Sequence, residues 1–200
     1  MEAKATAKNN GGFLSSLYDV VELFVISICL VLIFFIFGAR LCRVDGDSML
    51  QTLHDSEMLV VSNFAYTPEQ GDIVVFHQTH ETNMRLNEPI VKRIIATEGQ
   101  YVFVDYSNGK VYVSSDDEFT EEDLLDEDYD YIDNASGVIT DPYYARNKTY
   151  KVPDGCVFVL GDNRNNSLDS RSYEIGMVDE RRILGRVVLR LPGSLNLLSK

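Results

Sequence analysis

Tryptophan is absent from the 200 residues, so Tyr and Phe are the only large aromatic anchors. Cysteine is scarce: Cys29, Cys42 and Cys156 are too few and too widely spaced for a disulfide framework or a Cys-rich zinc site. Basic charge is the third shortage. There are 18 Lys and Arg against 31 Asp and Glu, a net charge of −13, which argues against nucleic acid as the main partner because phosphate binding needs a basic surface. Apolar residues, by contrast, make up 45% of the chain. That is enough for one compact core plus a short extra element, and it excludes wholesale disorder.

Charge is also missing locally. No charged residue occurs from Leu23 to Ala39, and apolar side chains occupy every helical face of that run. These 17 residues, with Val20 and Val21, give a helix close to the ~30 Å of a bilayer core. A cleaved signal peptide would be shorter and would end in small residues, whereas this run ends Gly38-Ala39-Arg40-Leu41-Cys42-Arg43. The expectation is an uncleaved anchor over 20–39, a short tail over 1–19, and a folded domain over 40–200. Lys4 and Lys8 on one side and Arg40 and Arg43 on the other leave the orientation open.

Beyond the anchor no long amphipathic helical pattern appears. Short apolar and β-branched runs alternate with turn residues and predict strands at 58–62, 72–77, 90–96, 101–105, 110–114, 156–160 and 183–190. Asn108-Gly109 between two of them is the clearest hairpin signal. One segment differs. Residues 116–133 carry 11 acidic side chains and no basic one, which reads as a solvated, mobile excursion. Asp126, Asp128 and Asp130 alternate as in a calcium loop, but Tyr131 and Gly137 stand where that loop needs Gly and Glu, so no metal site is expected. Without this segment the chain has 20 acidic and 18 basic residues, a net of −2.

Three stretches interrupt the β pattern with polar groups. In Val44–Leu53, Ser48 follows Gly46-Asp47, where a turn exposes its hydroxyl beside main-chain N–H groups; an ordinary turn serine is the competing reading. In Ile90–Ile95, Lys92 and Arg93 adjoin inside a run that otherwise reads as buried, so alternation turns one of them inward. A lysine in apolar surroundings loses hydration and becomes a neutral amine able to accept a proton; protective charge on an edge strand is the alternative. The third stretch, Gly161–Arg171, is almost entirely polar and follows a core strand; Asp162, Asp169, Arg93 and Arg171 are available there to form rigidifying ion pairs.

In this order, with Gly71–Phe76 between the first two and Ile183-Leu184-Gly185-Arg186 after the third, the stretches resemble the bacterial type I signal peptidases, membrane-bound serine proteases with a Ser–Lys dyad. The resemblance covers roughly 14–190 apart from the acidic segment. It implies a mainly β, signal-peptidase-like and LexA-like ectodomain of mixed antiparallel strands behind one N-terminal transmembrane helix. It implies that Ser48 is the nucleophile, Lys92 the general base, and Ser167 a hydroxyl that orients the lysine. Asp162 with Arg93 and Asp169 with Arg171 match supporting residues, and Met49 a residue lining the substrate cleft. The oxyanion would take the Ser48 N–H; Gly46 stands where some members carry a second, hydroxyl donor. The three histidines, His54, His77 and His80, fall outside the matching motifs.

The implied activity is removal of signal peptides from exported preproteins, without cofactor or metal. The implied setting is the cell membrane, single-pass, with the N-terminus cytoplasmic and the catalytic domain extracytoplasmic. The partners are preproteins and the lipid bilayer, with no nucleic acid and no evident obligate protein partner. The family usually has Pro at Gln51, Gly-x-Pro-Gly-Asp at Ala96–Gln100, Asp at Asn165 and Pro at Asp179. Those departures predict looser turns and motivate one alternative, a relative restricted to surface or pilin-like substrates; a second, a non-catalytic tethered chaperone or binding module on the same fold, is opposed by the retained Ser48, Lys92, Ser167 and Asp169.

Overall fold

The structure is a computed structural model, and residues 11–78, 88–127 and 147–191 are described. Two compact units divide between Ala39 and Arg40. The first contains helix α1 (Gly11–Phe37). The helix begins within the stretch read from sequence as a tail, carrying Asp19 and Glu22 in its first half, and it ends where Gly38 stands, a residue that favours helix termination. The 18 residues Ser16–Ile33 are long and apolar enough to cross a membrane, and none of them is buried within the protein.

The second unit is built from two antiparallel sheets. The larger contains β1 (Arg40–Arg43), β2 (Met58–Ser62), β3 (Ile73–His77), β4 (Pro89–Ala96), β8 (Cys156–Leu160), β9 (Val178–Asp179) and β10 (Ile183–Leu191). Its order is β1-β2-β10-β3-β4-β8-β9. The smaller sheet has β5 (Tyr101–Asp105) at its centre, flanked by β6 (Lys110–Ser114) and β7 (Lys148–Lys151). The mainly β class expected from the strand pattern is therefore observed. Arg-Leu-Cys-Arg (β1) and Lys-Thr-Tyr-Lys (β7) gave no signal because each is four residues long and charged at both ends, as suits sheet edges.

The Asn108-Gly109 hairpin forms with pairing from Tyr101↔Ser114 to Asp105↔Lys110. Its four-residue loop is held by the Asp105 carboxylate, which accepts from the N–H groups of Ser107 and Asn108. In β10 the register shifts at Gly185, where φ is +150° and a Cβ would lie 2.6 Å from the Ser62 carbonyl; only glycine lets the two strands approach there.

Three apolar clusters fill the domain. Ile95, Phe158 and Leu160 of the large sheet join Val102, Val104 and Val111 of the small one. Val74, Phe76, Ile94 and Val159 form the second, and Val44, Met49, Leu53, Leu59 and Val75 the third. The third matters for function because it anchors the segment around Ser48. All three cysteines are free. Cys42 and Cys156 lie on β1 and β8, five strand spacings or about 24 Å apart along the sheet, beyond disulfide reach.

The acidic segment corrects an expectation. Its described part, 116–127, is not a free excursion. Thr120 caps a single 3₁₀ turn at Glu121–Asp123, Leu124 bridges to Tyr112, and the Leu125 N–H donates to the Val111 carbonyl at 2.9 Å. Leu125 packs on the first cluster, and the Glu127 carboxylate pairs with Arg164. Leu125, within the acidic run, supplies the apolar anchor that a charge count conceals. Residues 128–133, with Asp128 and Asp130 of the calcium-like pattern, lie outside the described residues, as do Tyr131, Gly137 and His80.

Candidate active site

The segment after β1 is fastened at both ends. Val44 exchanges main-chain hydrogen bonds with Glu57 and Ser56 at 2.9 Å, and the Gly46 N–H donates to Asp55 Oδ1 at 3.0 Å. A turn closes where the Leu50 N–H meets the Asp47 carbonyl at 3.0 Å, and buried Met49 and Leu53 pin it to the third cluster. Ser48 therefore has little freedom. Gln51 has φ +84°, a value closed to proline, so this turn differs in shape from one carrying the family's usual Pro.

Lys92 comes from β4, opposite Val74 of β3. Its Nζ donates to Ser48 Oγ at 2.7 Å and to the Val91 carbonyl at 2.8 Å, and the residue is only 3% exposed. Burial pushes its pKa down to about 8; the negative charges of Asp169 and Asp162 oppose that shift, and Arg171 adds to it. Alternation sends Lys92 and Arg93 to opposite faces and turns one of them inward. Both are largely covered, because the Gly161–Arg171 loop lies over Arg93 and supplies the Asp162 carboxylate.

That loop is a set of ion pairs and main-chain clasps. Arg93 Nε and Nη2 donate to the two oxygens of fully buried Asp162 at 2.8 and 2.7 Å. Arg171 grips Asp169 in the same bidentate way, at 2.8 Å on each oxygen. Burial works to raise the Asp169 pKa, but Arg171 and the Gly161 N–H outweigh it and hold the carboxyl below its ordinary range. The Asn163 N–H donates to the Ser48 carbonyl at 3.1 Å, and Asn163 Nδ2 to the Asp47 carbonyl at 3.0 Å. The loop thus holds the serine's own main chain. A Cβ on Gly161 would fall 2.2 Å from Ser167 Oγ and 2.4 Å from the Ser48 carbonyl oxygen, so this close approach requires glycine.

Ser48, Lys92, Asp162–Arg93 and Asp169–Arg171 are thus brought together. Ser167 sits against Gly161 and close enough to Asp169 to help lower its pKa, yet among the described residues its buried hydroxyl makes no hydrogen bond of normal geometry, to Lys92 or to another group. Met49 is 1% exposed and lines a cavity of about 560 Å³ together with Arg43–Gly46, Ser48 and Glu88–Lys92. His54 faces Glu57 rather than Ser48. Asn163 and Gly161 were missed as anchors of Ser48; their only signal was membership of the polar loop. At Ala96–Gln100, which lacks the family's usual Pro, Gln100 Oε1 accepts from the Thr97 N–H at 2.8 Å, and Glu98 accepts from the Gly155 N–H at 2.9 Å.

On one side of β4 lies β3, paired from Pro89 to Arg93; on the other, β8 pairs only from Arg93 onward. Residues 89–92 therefore border the cavity with a strand edge that β8 does not cover. A serine hydroxyl, a nearly dehydrated amine on it, and an adjoining strand edge together suit attack on an extended peptide.

Residues 17–191 match a family model described as signal peptidase, peptidase S26. A probable signal peptidase I-1 of Synechocystis sp. is 34% identical over 176 residues, covering 85% of this chain and 80% of that one. A signal peptidase I of Leptolyngbya laminosa is 34% identical over 182 residues, 88% and 80% of the two chains. A signal peptidase IB of Staphylococcus aureus is 35% identical over 153 residues, 74% of each. Among solved structures, a signal peptidase I from Enterococcus faecalis V583 has 28% identity over 61% of this chain and 97% of that one, with a TM-score of 0.42.

Proposed function

This chain belongs to the signal peptidase family, peptidase S26, and from that premise we propose that Ser48 is its nucleophile and Lys92 its general base. The protein is a membrane-anchored serine endopeptidase that cleaves signal peptides. The observation that carries the residue assignment is the 2.7 Å contact from Lys92 Nζ to Ser48 Oγ, made by a lysine that is almost wholly buried.

In the neutral state Lys92 takes the Ser48 proton, and the alkoxide attacks the carbonyl before the cleavage point. The Ser48 N–H stabilises the resulting oxyanion. Gly46 has no hydroxyl and commits its N–H to Asp55, so no second donor comes from that position. As the peptide C–N bond breaks, protonated Lys92 gives its proton to the leaving amine. The amine, neutral again, then activates the water that releases the acyl group from Ser48. The substrate is an extended segment laid on the uncovered edge of β4, with small residues beside Met49 before the cut. Ser167, which sits against Gly161 and near Asp169, is assigned as a support of the loop beside Lys92.

Topology and lipid contact belong to the same reading. Residues 1–10 and the start of α1 are cytoplasmic, the membrane is crossed once over 20–39, and the catalytic domain from 40 on is extracytoplasmic. Leu41 of β1 and Leu189 of β10 both stand opposite Val60 of β2 and are more than half exposed, with Arg40, Arg43 and Arg190 around them. An apolar stripe edged by arginines suits an anionic bilayer surface.

The test uses the full chain in detergent or lipid with a panel of preproteins carrying small residues before the cut. Ser48→Ala and Lys92→Ala each abolish cleavage while keeping the wild-type fold by circular dichroism. Turnover retained by either variant would sink the dyad. Cleavage across the panel identifies a general processing enzyme, and cleavage of one substrate class a restricted one.

A further inference from the structure

The acidic segment reaches the catalytic loop at one point, and the partner it finds there is central to that loop. Arg164 is 4% exposed. Its Nε donates to the Gly161 carbonyl at 3.0 Å, and its own carbonyl accepts from Arg171 Nη2 at 2.7 Å. Arg164 therefore clasps the first residue of the loop to the last. Gly161 is the point where Ser167 and the Ser48 carbonyl crowd together, and Arg171 holds Asp169. A buried guanidinium with this position needs a counter-charge, and the carboxylate that meets its Nη2 is Glu127, 37 residues earlier in the chain.

We propose that Glu127 is a positioning residue for the Ser48–Lys92 pair, acting through Arg164 to hold the Gly161–Arg171 loop, and that the acidic segment is thereby a working part of the catalytic domain. This rests on the Ser48–Lys92 reading above. The Glu127 side chain is 12% exposed, so water competes little for it, and it lies in the field of Arg164, Asp162 and Arg93. Lys92 feels Asp169, Asp162 and Arg171, the first and last of which the clasp fixes. The Glu127 carboxylate meets Arg164 and not Lys92, so a change at Glu127 reaches Lys92 through loop position and hydration.

The experiment measures kcat, KM and the pH profile of the full chain in detergent on a peptide with alanine before the cut. Glu127→Gln lowers kcat/KM about tenfold at neutral pH with KM little changed, as misplacement near the reacting groups does. Its acid limb moves to higher pH, because a loosened loop admits water and Lys92 regains its hydration. Arg164→Gln does the same, the double variant is no worse than the poorer single one, and Glu127→Asp recovers part of the loss. Glu121→Gln, which removes one charge from the exposed face of the same segment, leaves kcat/KM and the profile unchanged. Wild-type kcat/KM and profile in Glu127→Gln overturn the proposal while leaving the dyad intact if Ser48→Ala is dead. A lowered melting temperature with an unmoved acid limb, or an equal effect from Glu121→Gln, also overturns it. If Glu127→Gln does not fold, Glu127→Asp and Arg164→Lys are read by the same criteria. Activity in either Ser48→Ala or Lys92→Ala would instead remove the underlying reading.

Discussion

Lys92 and Arg171 are two cations buried to nearly the same degree, 3% and 6% exposed, and their surroundings are opposite. Arg171 meets the Asp169 carboxylate on both oxygens at 2.8 Å and a main-chain carbonyl at 2.7 Å. Lys92, among the described residues, has no carboxylate within ion-pair distance; it touches a hydroxyl and its neighbour's carbonyl. Arg93, one residue away, is treated like Arg171, with Asp162 bound in two places. The domain spends its carboxylates on arginines, which do not titrate, and leaves the lysine to lose its proton. The same aspartates still reach Lys92 at a distance and keep its pKa near 8 rather than lower. The ion pairs make the loop rigid, and the unpaired lysine makes it reactive.

Exchanging the cations is the most direct way to break that comparison. Lys92→Arg keeps the charge but removes the neutral state, so kcat/KM falls by at least about 10³-fold, the loss of a general base. Arg93→Lys keeps a cation on Asp162 but gives up the bidentate grip; stability falls by about 2 kcal/mol and activity stays within about tenfold of wild type. Comparable losses of activity from the two exchanges would mean that both cations serve only to hold the loop. In wild type, kcat/KM climbs as pH rises through about 8, because activity requires the deprotonated amine.

Removing a carboxylate tests the other half. Asp169→Asn leaves Arg171 buried without its counter-charge and costs roughly 3–5 kcal/mol, read as a fall in melting temperature of the full chain in detergent. Because Asp169 raises the Lys92 pKa, the acid limb of the activity profile moves to lower pH in whatever protein remains folded. Asp162→Asn costs less, since the Arg93 side chain is 15% exposed and water replaces part of what is lost. An acid limb that moves to higher pH in Asp169→Asn would show that rehydration of Lys92 in a loosened loop outweighs the lost charge.

The contrast between these cations was partly legible in the sequence. Lys92-Arg93 within Ile90–Ile95 was a conspicuous breach of an apolar run, and Asp162, Asp169 and Arg171 were conspicuous in a loop with few carbon side chains. Seven strands were legible for the same reason, since their apolar runs are bounded by turn residues. What stayed hidden depends on contacts distant in the chain. Nothing local marks Asn163 as the residue holding the Ser48 carbonyl, or Glu127 as different from its acidic neighbours. Arg-Leu-Cys-Arg and Lys-Thr-Tyr-Lys become strands only because β2 and β5 stand ready to pair with them.

The smallest effect tests what the unpaired lysine costs the fold. Lys92 has its pKa lowered from 10.5 to about 8 in the native protein, so below pH 8 both native and unfolded chains carry the proton and the native one bears a buried ammonium. Between about 8 and 10.5 the unfolded chain binds more protons than the native one, and stability rises with pH. Above that window neither carries the proton and the penalty is gone. At 1.36 kcal/mol per pKa unit the penalty at neutral pH is about 3 kcal/mol. Lys92→Met, of similar length and without charge, is therefore more stable than wild type at pH 7 by about 2 kcal/mol, once about 1 kcal/mol is allowed for the lost Ser48 hydrogen bond. Its advantage shrinks towards zero by pH 10. Melting temperatures of both chains at pH 7 and pH 10 decide the matter: a difference that does not change with pH would mean that Lys92 keeps its proton in the fold, and the base of the proposed reaction would have to be sought elsewhere.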